Sequence, residues 1–203
     1  MAVIYENVRE ELDTGDIVLF SGKGGISEWI KGFTRSKWSH VGMVIKDKAW
    51  DMVLLWESTT LSNIDDLETG RKKKGVQLVA LSERIDNYTG EVSVRRLITE
   101  KTPQMVEALK DLRNEIKERS YEESMIELIK SAYDGPLGQN TQDLSSLFCS
   151  ELVAEAYMRM GLLPVGTLPS NEYTPKDFSS ERNLQLLKEA KLGNEILVTT
   201  KKA

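Results

Sequence analysis

Apolar residues follow two periods along the chain, and the change between them separates a strand-rich first half from a helical second half. Residues 16–20 (Asp16, Ile17, Val18, Leu19, Phe20) form a short apolar run behind Gly15, the pattern of a buried strand. Residues 21–25 (Ser21, Gly22, Lys23, Gly24, Gly25) form a loop that matches neither the Walker pattern nor the dinucleotide fingerprint. In 26–33, Ile26, Ile30 and Phe33 stand at helical spacing and predict a short amphipathic helix. Strands are predicted at 39–45 and 52–58, with the polar stretch 46–51 as the loop of a hairpin between them. Residues 63–75 are charged and read as irregular; further strands are predicted at 76–81 and 91–97, the latter with Val92 and Val94 alternating against Ser93 and Arg95.

From Thr102 the period becomes helical. Thr102 is a good N-cap, Pro103 suits the first helical position, and Met105, Leu109, Leu112 and Ile116 make one stripe. Ser120 and Glu123 have capping-box spacing and open a second helix that Asp134, Gly135 and Pro136 stop near Tyr133. The stretch 102–134 is assigned as a helical insertion in a single domain spanning 1–203; a lid and simple core packing are its other possible roles. Ser145 and Ser146 open a third helix carrying Cys149, Leu152, Val153, Ala156, Tyr157 and Met160, which Gly161 and Pro164 end. A polar helix at 181–191 and a last strand at 195–198 complete the pattern, with no internal repeat.

Composition narrows the function classes. With 203 residues, 40% hydrophobic and 29% charged, the chain is an ordinary globular one. A net charge of -5 argues against a nucleic-acid binder, which would show a basic excess. The one basic block, Arg71 to Lys74, reads as a solvated loop. No apolar run approaches the ~20 residues that span a bilayer, and the N-terminus lacks the basic and apolar regions of a signal peptide. A cytoplasmic protein without an integral membrane segment is therefore expected. One cysteine forms no internal disulfide, and one cysteine with one histidine builds no Cys- or His-rich zinc site. No EF-hand spacing is present either, and no metal or cofactor is predicted.

Three residues nonetheless suit one chemistry. If Ser145 or Ser146 caps the third helix, Cys149 lies in its first turn, where unpaired N–H groups and the positive dipole end favour a thiolate. The same N–H groups could stabilise an oxyanion. Equally, a lone cysteine sharing a helical face with Val153 and Met160 can be a small buried hydrophobe. His40 lies in a strand beside a position as small as Gly42, which would leave open space for a base to reach a substrate. A hairpin closing on 46–51 sets Ile45 opposite Met52 and His40 directly opposite Glu57. A carboxylate there fixes the imidazole tautomer and leaves the other nitrogen for the cysteine. A slip of one residue would turn Glu57 to the other face.

At these residues the sequence resembles a known family. The pattern is Leu12, Asp13, Thr14, Gly15, Asp16, Ile17, Val18, then Ser39, His40, Val41, Gly42, then Trp56, Glu57, Ser58, then Phe148, Cys149, Ser150, Glu151, Leu152, Val153. It is similar to the circularly permuted branch of the NlpC-type papain-like cysteine peptidases and amidases, including YiiX-like proteins. There the histidine strand precedes the cysteine helix, as His40, Glu57 and Cys149 do here. The resemblance implies an α+β papain-like fold, a small antiparallel sheet or barrel packed against the Cys-bearing helix. It implies Cys149 as nucleophile, His40 as base and Glu57 as orienter. It also places Tyr173, in the stretch 171–178, near the substrate, and leaves Asp16 to brace the first strand. The expected activity is a cysteine hydrolase that cleaves an amide or peptide bond of a small peptide, including cell-wall-derived ones. A thiol lipid esterase or acyltransferase of the same fold is the alternative, for which Trp29, Phe33, Trp38 and Trp56 could line an apolar entrance; a non-catalytic binding module is a third reading.

Overall fold

Three neighbouring strands are buried along most of their length because the sheet they form is covered on both faces. These are β2 (Ile17–Gly22), β3 (His40–Asp47) and β4 (Met52–Thr59). The computed structural model describes residues 2–22, 35–117 and 145–200. The helices expected at 26–33 and 120–133 lie outside the described residues. The remaining strands are β1 (Val3–Ile4), β5 (Asp65–Asp66), β6 (Arg71–Lys72), β7 (Gly75–Ala80), β8 (Gly90–Arg95), β9 (Leu97–Ile98), β10 (Lys191–Leu192) and β11 (Ile196–Thr199). The helices are α1 (Glu6–Arg9), α2 (Leu81–Asp86), α3 (Pro103–Lys117) and α4 (Ser145–Arg159).

Seven strands pair in the order β1-β11-β8-β2-β3-β4-β7, antiparallel except for the parallel β1–β11 pair. The sheet is open, with β1 and β7 at its edges. Alternation along the central strands sorts the side chains into two cores. Ile17, Leu19, Val41, Met43, Ile45, Leu54 and Trp56 pack against α3 and α4. Val18, Phe20, Val44, Val53, Leu55 and Val79 pack against Tyr5, Leu12, Ile64 and, from α2, Leu81 and Ile85. This is the period-2 side-chain rule applied to a sheet with no wet face. The architecture is mixed α+β, with the cysteine helix laid on one face.

The α3 stripe is as the period predicts: Met105, Leu109 and Leu112 are buried in the helix-side core, with Ile116 packed against it. Thr102 caps the helix, its Oγ1 accepting the Met105 N–H at 3.3 Å. Arg159 of α4 binds Glu115 of α3 at 3.1 Å. This helix is thus part of the main core.

Three expectations are overturned. The stretch 63–75 is not irregular: β5 and β6 form a small hairpin organised by buried Asp66, whose carboxylate accepts from Thr69 and from the Leu78 N–H at 2.8 Å. In that hairpin Lys73 pairs with Asp66 at 3.0 Å. Residues 181–191 form no helix. Leu187 N–H donates to the Leu162 carbonyl, and Lys188 and Glu189 both have φ near 57°, a left-handed conformation that breaks a right-handed helix. Finally, the hairpin of β3 and β4 closes two residues later than expected. Met52 faces Asp47, and Ile45 faces Leu54. Asp47 itself builds the tighter turn, its Oδ1 accepting the Ala49 and Trp50 N–H groups at 2.9 and 3.2 Å. A two-residue shift preserves the face of every side chain, so the relation between His40 and Glu57 survives it.

Candidate active site

The observed register places Gly42, not His40, opposite Glu57. His40 and Glu57 are diagonal neighbours on one face, and they meet over the glycine. A Cβ at position 42 would lie 3.2 Å from the Glu57 Cβ and 2.7 Å from Leu55 Cδ1. The expected open space beside Gly42 is thus filled by the neighbouring strand. The missing side chain lets Leu55 and Glu57 close in, and His40 Nε2 reaches Glu57 Oε2 at 2.6 Å.

His40 is the first residue of β3, and the residue before it anchors the strand end. Ser39 N–H donates to the Phe20 carbonyl at 2.9 Å, and its Oγ accepts the Gly22 N–H at 3.2 Å. The Phe20 ring lies 5.3 Å from the imidazole, and Tyr88 meets Phe20 edge-on at 4.9 Å. These contacts put His40 on the face away from α4. Cys149 belongs to the helix-side core and has no exposed surface. The two meet at the end of the sheet, where β3 begins. His40 shares a hydrogen bond with the Cys149 side chain. Since Nε2 is taken by Glu57, Nδ1 is the ring nitrogen left for sulfur.

Burial alone would lower the His40 pKa. The negative charge and hydrogen bond of Cys149, followed by those of Glu57, outweigh it and lift the imidazole to about 10. For Glu57 burial acts upward, but the His40 hydrogen bond and charge, then Arg84, hold the carboxyl below its ordinary value. Glu57 divides its two oxygens. Oε2 serves His40, while Oε1 accepts from Arg84 Nε at 2.7 Å. Arg84 Nη2 lies 2.7 Å from that same oxygen but out of line for a hydrogen bond. Arg84 Nη1 donates to Asn63 Oδ1 at 2.8 Å. Tyr88 borders the group: burial chiefly pushes its phenol up to about 12, with Ser39 acting against it and the Glu57 and Cys149 charges adding.

The helix position of the cysteine differs from the expectation. Helix α4 begins at Ser145, so Cys149 is its fifth residue and not in the first turn. Its N–H is directed to the Ser145 carbonyl by the i→i−4 pattern, and the dipole effect fades beyond the first turn. The N–H of Cys149 therefore belongs to the helical ladder, and the helix end adds little to the surroundings of the sulfur.

Tyr173 is only 5% exposed and packs on Phe178 with ring centres 6.0 Å apart. Its side chain belongs to the helix-side core. Its carbonyl accepts the Ser150 hydroxyl at 2.6 Å, which ties this segment to the residue after Cys149. Trp38 and Trp56 are core residues, and Trp29 and Phe33 lie outside the described residues. Asp16 is a brace: fully buried, it accepts the Leu97 N–H at 2.8 Å and the Asp13 N–H at 2.9 Å.

Arg84, Asn63 and Tyr88 were not singled out from the sequence. Leu81, Arg84 and Ile85 have i, i+3, i+4 spacing, a one-turn helix signal. The apolar run of the preceding strand absorbs Leu81 and hides it.

Among the described residues, no group of three or more His, Cys, Asp or Glu is placed to hold a metal ion, and no helix is long and apolar enough to cross a membrane. Residues 11–188 match the family described as permuted papain-like amidase enzyme, YaeF/YiiX, C92 family. No curated protein matches the chain. Among solved structures, that of the metalloprotein yiiX from Escherichia coli O157:H7 matches at 17% identity, covering 94% of this chain and 97% of that one with a TM-score of 0.47.

Proposed function

The chain belongs to the permuted papain-like amidase family, and on that premise we propose that it is a cysteine hydrolase cleaving an amide or peptide bond through a thiol acyl-enzyme. Cys149 is the nucleophile, His40 the general acid and base, and Glu57 the orienter. One observation carries this reading: the only imidazole of the chain binds a fully buried carboxylate at 2.6 Å and shares its other side with the only thiol. Alone, a buried cysteine or a strand histidine would be unremarkable. The conjunction is the arrangement that activates a sulfur nucleophile.

In the first half-reaction the Cys149 thiolate attacks the carbonyl carbon and forms a C–S bond. The tetrahedral oxyanion then collapses, the C–N bond breaks, and the imidazolium proton passes to the departing amine. In the second half-reaction neutral His40 takes a proton from water. The resulting hydroxide adds to the acyl carbon and forms a C–O bond; collapse of that tetrahedral oxyanion breaks the C–S bond, the acid leaves, and thiolate and imidazolium are restored. Glu57 stays ionised throughout, holding the tautomer and stabilising the cation. His40 keeps 13% of its side chain exposed, while the Glu57 side chain has none.

The test is the pH dependence of iodoacetamide alkylation, in the parent and in His40→Ala. One cysteine leaves no ambiguity about which thiol reacts. The parent is expected to react well below the ~8.5 of a free thiol, and His40→Ala to lose that advantage. An identical profile without His40 would end the catalytic reading. Comparing amide with lipid-ester substrates then decides between an amidase and the esterase alternative.

A further inference from the structure

Arg84 has no exposed surface, and none of the acyl-transfer steps uses it. Two of its nitrogens nevertheless donate hydrogen bonds, and the third closes the ion pair. Nε and Nη2 both lie 2.7 Å from Glu57 Oε1, and Nη1 donates to Asn63 Oδ1 at 2.8 Å. Asn63 is itself held by the Asn87 carbonyl, which its Nδ2 meets at 3.4 Å. The guanidinium is thus anchored from behind, and it occupies one carboxylate oxygen while leaving the other to His40.

Charge accounting gives this arrangement a meaning. A reactive cluster with thiolate and imidazolium contains Cys149 and Glu57 as anions, His40 and Arg84 as cations. The charges that act on Glu57 are those of His40 and Arg84, and on His40 those of Cys149 and Glu57. Of the other groups around the cluster, Tyr88 from the loop after α2 stays a neutral phenol, and Gln77, buried opposite Glu57 on β7, is uncharged. Glu151, two residues beyond Cys149 on α4, is pushed up to about 7 by burial and by Glu155. Take away the guanidinium, and two buried anions face one cation. A buried site relieves such an excess by binding a proton. The proton goes to the stronger base of the two anions, which is sulfur and not the carboxylate. Protonated sulfur is no nucleophile.

We propose that Arg84 is a positioning residue for the reaction: held in place on Glu57, its cation balances the charge of the buried cluster so that Cys149 stays ionised while His40 keeps the proton the leaving group needs. This rests on the roles of Cys149, His40 and Glu57 proposed above. It differs from a packing role in one respect, since it depends on the charge at position 84 and not on the volume.

The experiment is the pH midpoint of Cys149 alkylation by iodoacetamide, a macroscopic property of the coupled cluster, across a small set of variants. Arg84→Met is expected to raise the midpoint by about one pH unit or more, slowing alkylation at lower pH roughly tenfold per unit. Arg84→Lys keeps the cation and stays close to the parent. Glu57→Gln/Arg84→Met removes one anion with the cation and returns the midpoint below that of Arg84→Met. Because Arg84→Met strands a buried carboxylate, the same comparison is made without it: Glu57→Gln/Arg84→Met should titrate higher than Glu57→Gln/Arg84→Lys. Midpoints that do not respond to the charge at 84 in either background would overturn the inference and leave Arg84 a packing residue. The two readings fail separately. A parent that reacts like a free thiol regardless of His40 sinks the catalytic proposal, whereas a parent that depends on His40 but not on Arg84 sinks only this one.

Discussion

Replacing Gly42 with alanine adds one methyl group at the point where the histidine strand and the glutamate strand come closest. The new Cβ would stand 2.7 Å from Leu55 Cδ1 and 3.2 Å from both the Glu57 Cβ and the Trp56 carbonyl oxygen. Leu55 has no exposed surface into which to withdraw, and the carbonyl belongs to the strand backbone. Relief therefore requires β4 to move away from β3 or the second core to repack. Overpacking of this kind costs about 1–3 kcal/mol, which for a chain of this size lowers the melting temperature by roughly 2–12 °C. The displacement also falls on the 2.6 Å bond between His40 and Glu57, which crosses the glycine diagonally. Loosening that bond removes part of what raises the imidazole, so the His40 midpoint should fall from about 10 toward the ordinary 6.5. Two assays read the two effects. Thermal unfolding gives the first, and the ring-proton NMR signal of the single histidine, followed against pH, gives the second. Leu55→Val removes the atom in the shortest contact, so the double variant should be less destabilised than the sum of the singles by more than about 0.5 kcal/mol. An alanine variant that melts within a degree of the parent with an unmoved His40 titration would refute the argument that Gly42 sets the approach of the two strands.

Three further outcomes follow from the charges and the brace. Because His40 is raised in the folded state, its stabilising contribution is complete below the unfolded value of 6.5 and is lost as pH rises through about 10; the stability gap between parent and His40→Asn in urea titrations should therefore narrow over that interval. The Glu57 contribution has the opposite sign: its pKa is lowered, so the gap between parent and Glu57→Gln should close as pH falls below 4.5. Asp16→Asn keeps the shape of the brace but has one acceptor oxygen for two N–H groups, the buried one of Leu97 and the part-buried one of Asp13. It should cost about 1–3 kcal/mol in denaturant unfolding with no change in the pH midpoint of Cys149 alkylation.

The sheet was legible because both of its faces are covered. Continuous apolar runs such as Ile17 to Phe20, and Val53 to Trp56, mark buried strands whichever face they show. The amphipathic stripe of α3 was legible for the complementary reason, since its other side meets water. What failed was local turn chemistry. The turn after Asp47 is tighter than the polar composition of 46–51 predicts, because the Asp47 carboxylate accepts the Ala49 and Trp50 N–H groups. The polar segment 181–191 contained no residue that announces the left-handed backbone at Lys188 and Glu189; tertiary bonds such as Leu187 to Leu162 impose it. Arg84 escaped for a different reason. Its helix is six residues long and continues an apolar strand without a polar break, so neither period is sustained long enough to register.

His40 and Glu57 meet on one face even though the strands pair two residues away from the expected register. The pairing came from an incorrect register, yet the register was wrong by an even number, and faces repeat with period two. A direct cross-strand pair became a diagonal one, which stands farther apart but stays within reach of long side chains. The glycine between the two positions closes that distance by leaving out the side chain that would hold the strands apart. Gly42 is thus needed for the opposite of the expected reason, not to leave room but to let room be filled. The same geometry explains why the site is built from both sides of the sheet. Glu57 and Arg84 lie in the core away from α4, where water is excluded and their ion pair cannot be screened. Cys149 lies in the core against α4. Only a residue at the end of a strand can touch both, and His40 is the first residue of β3.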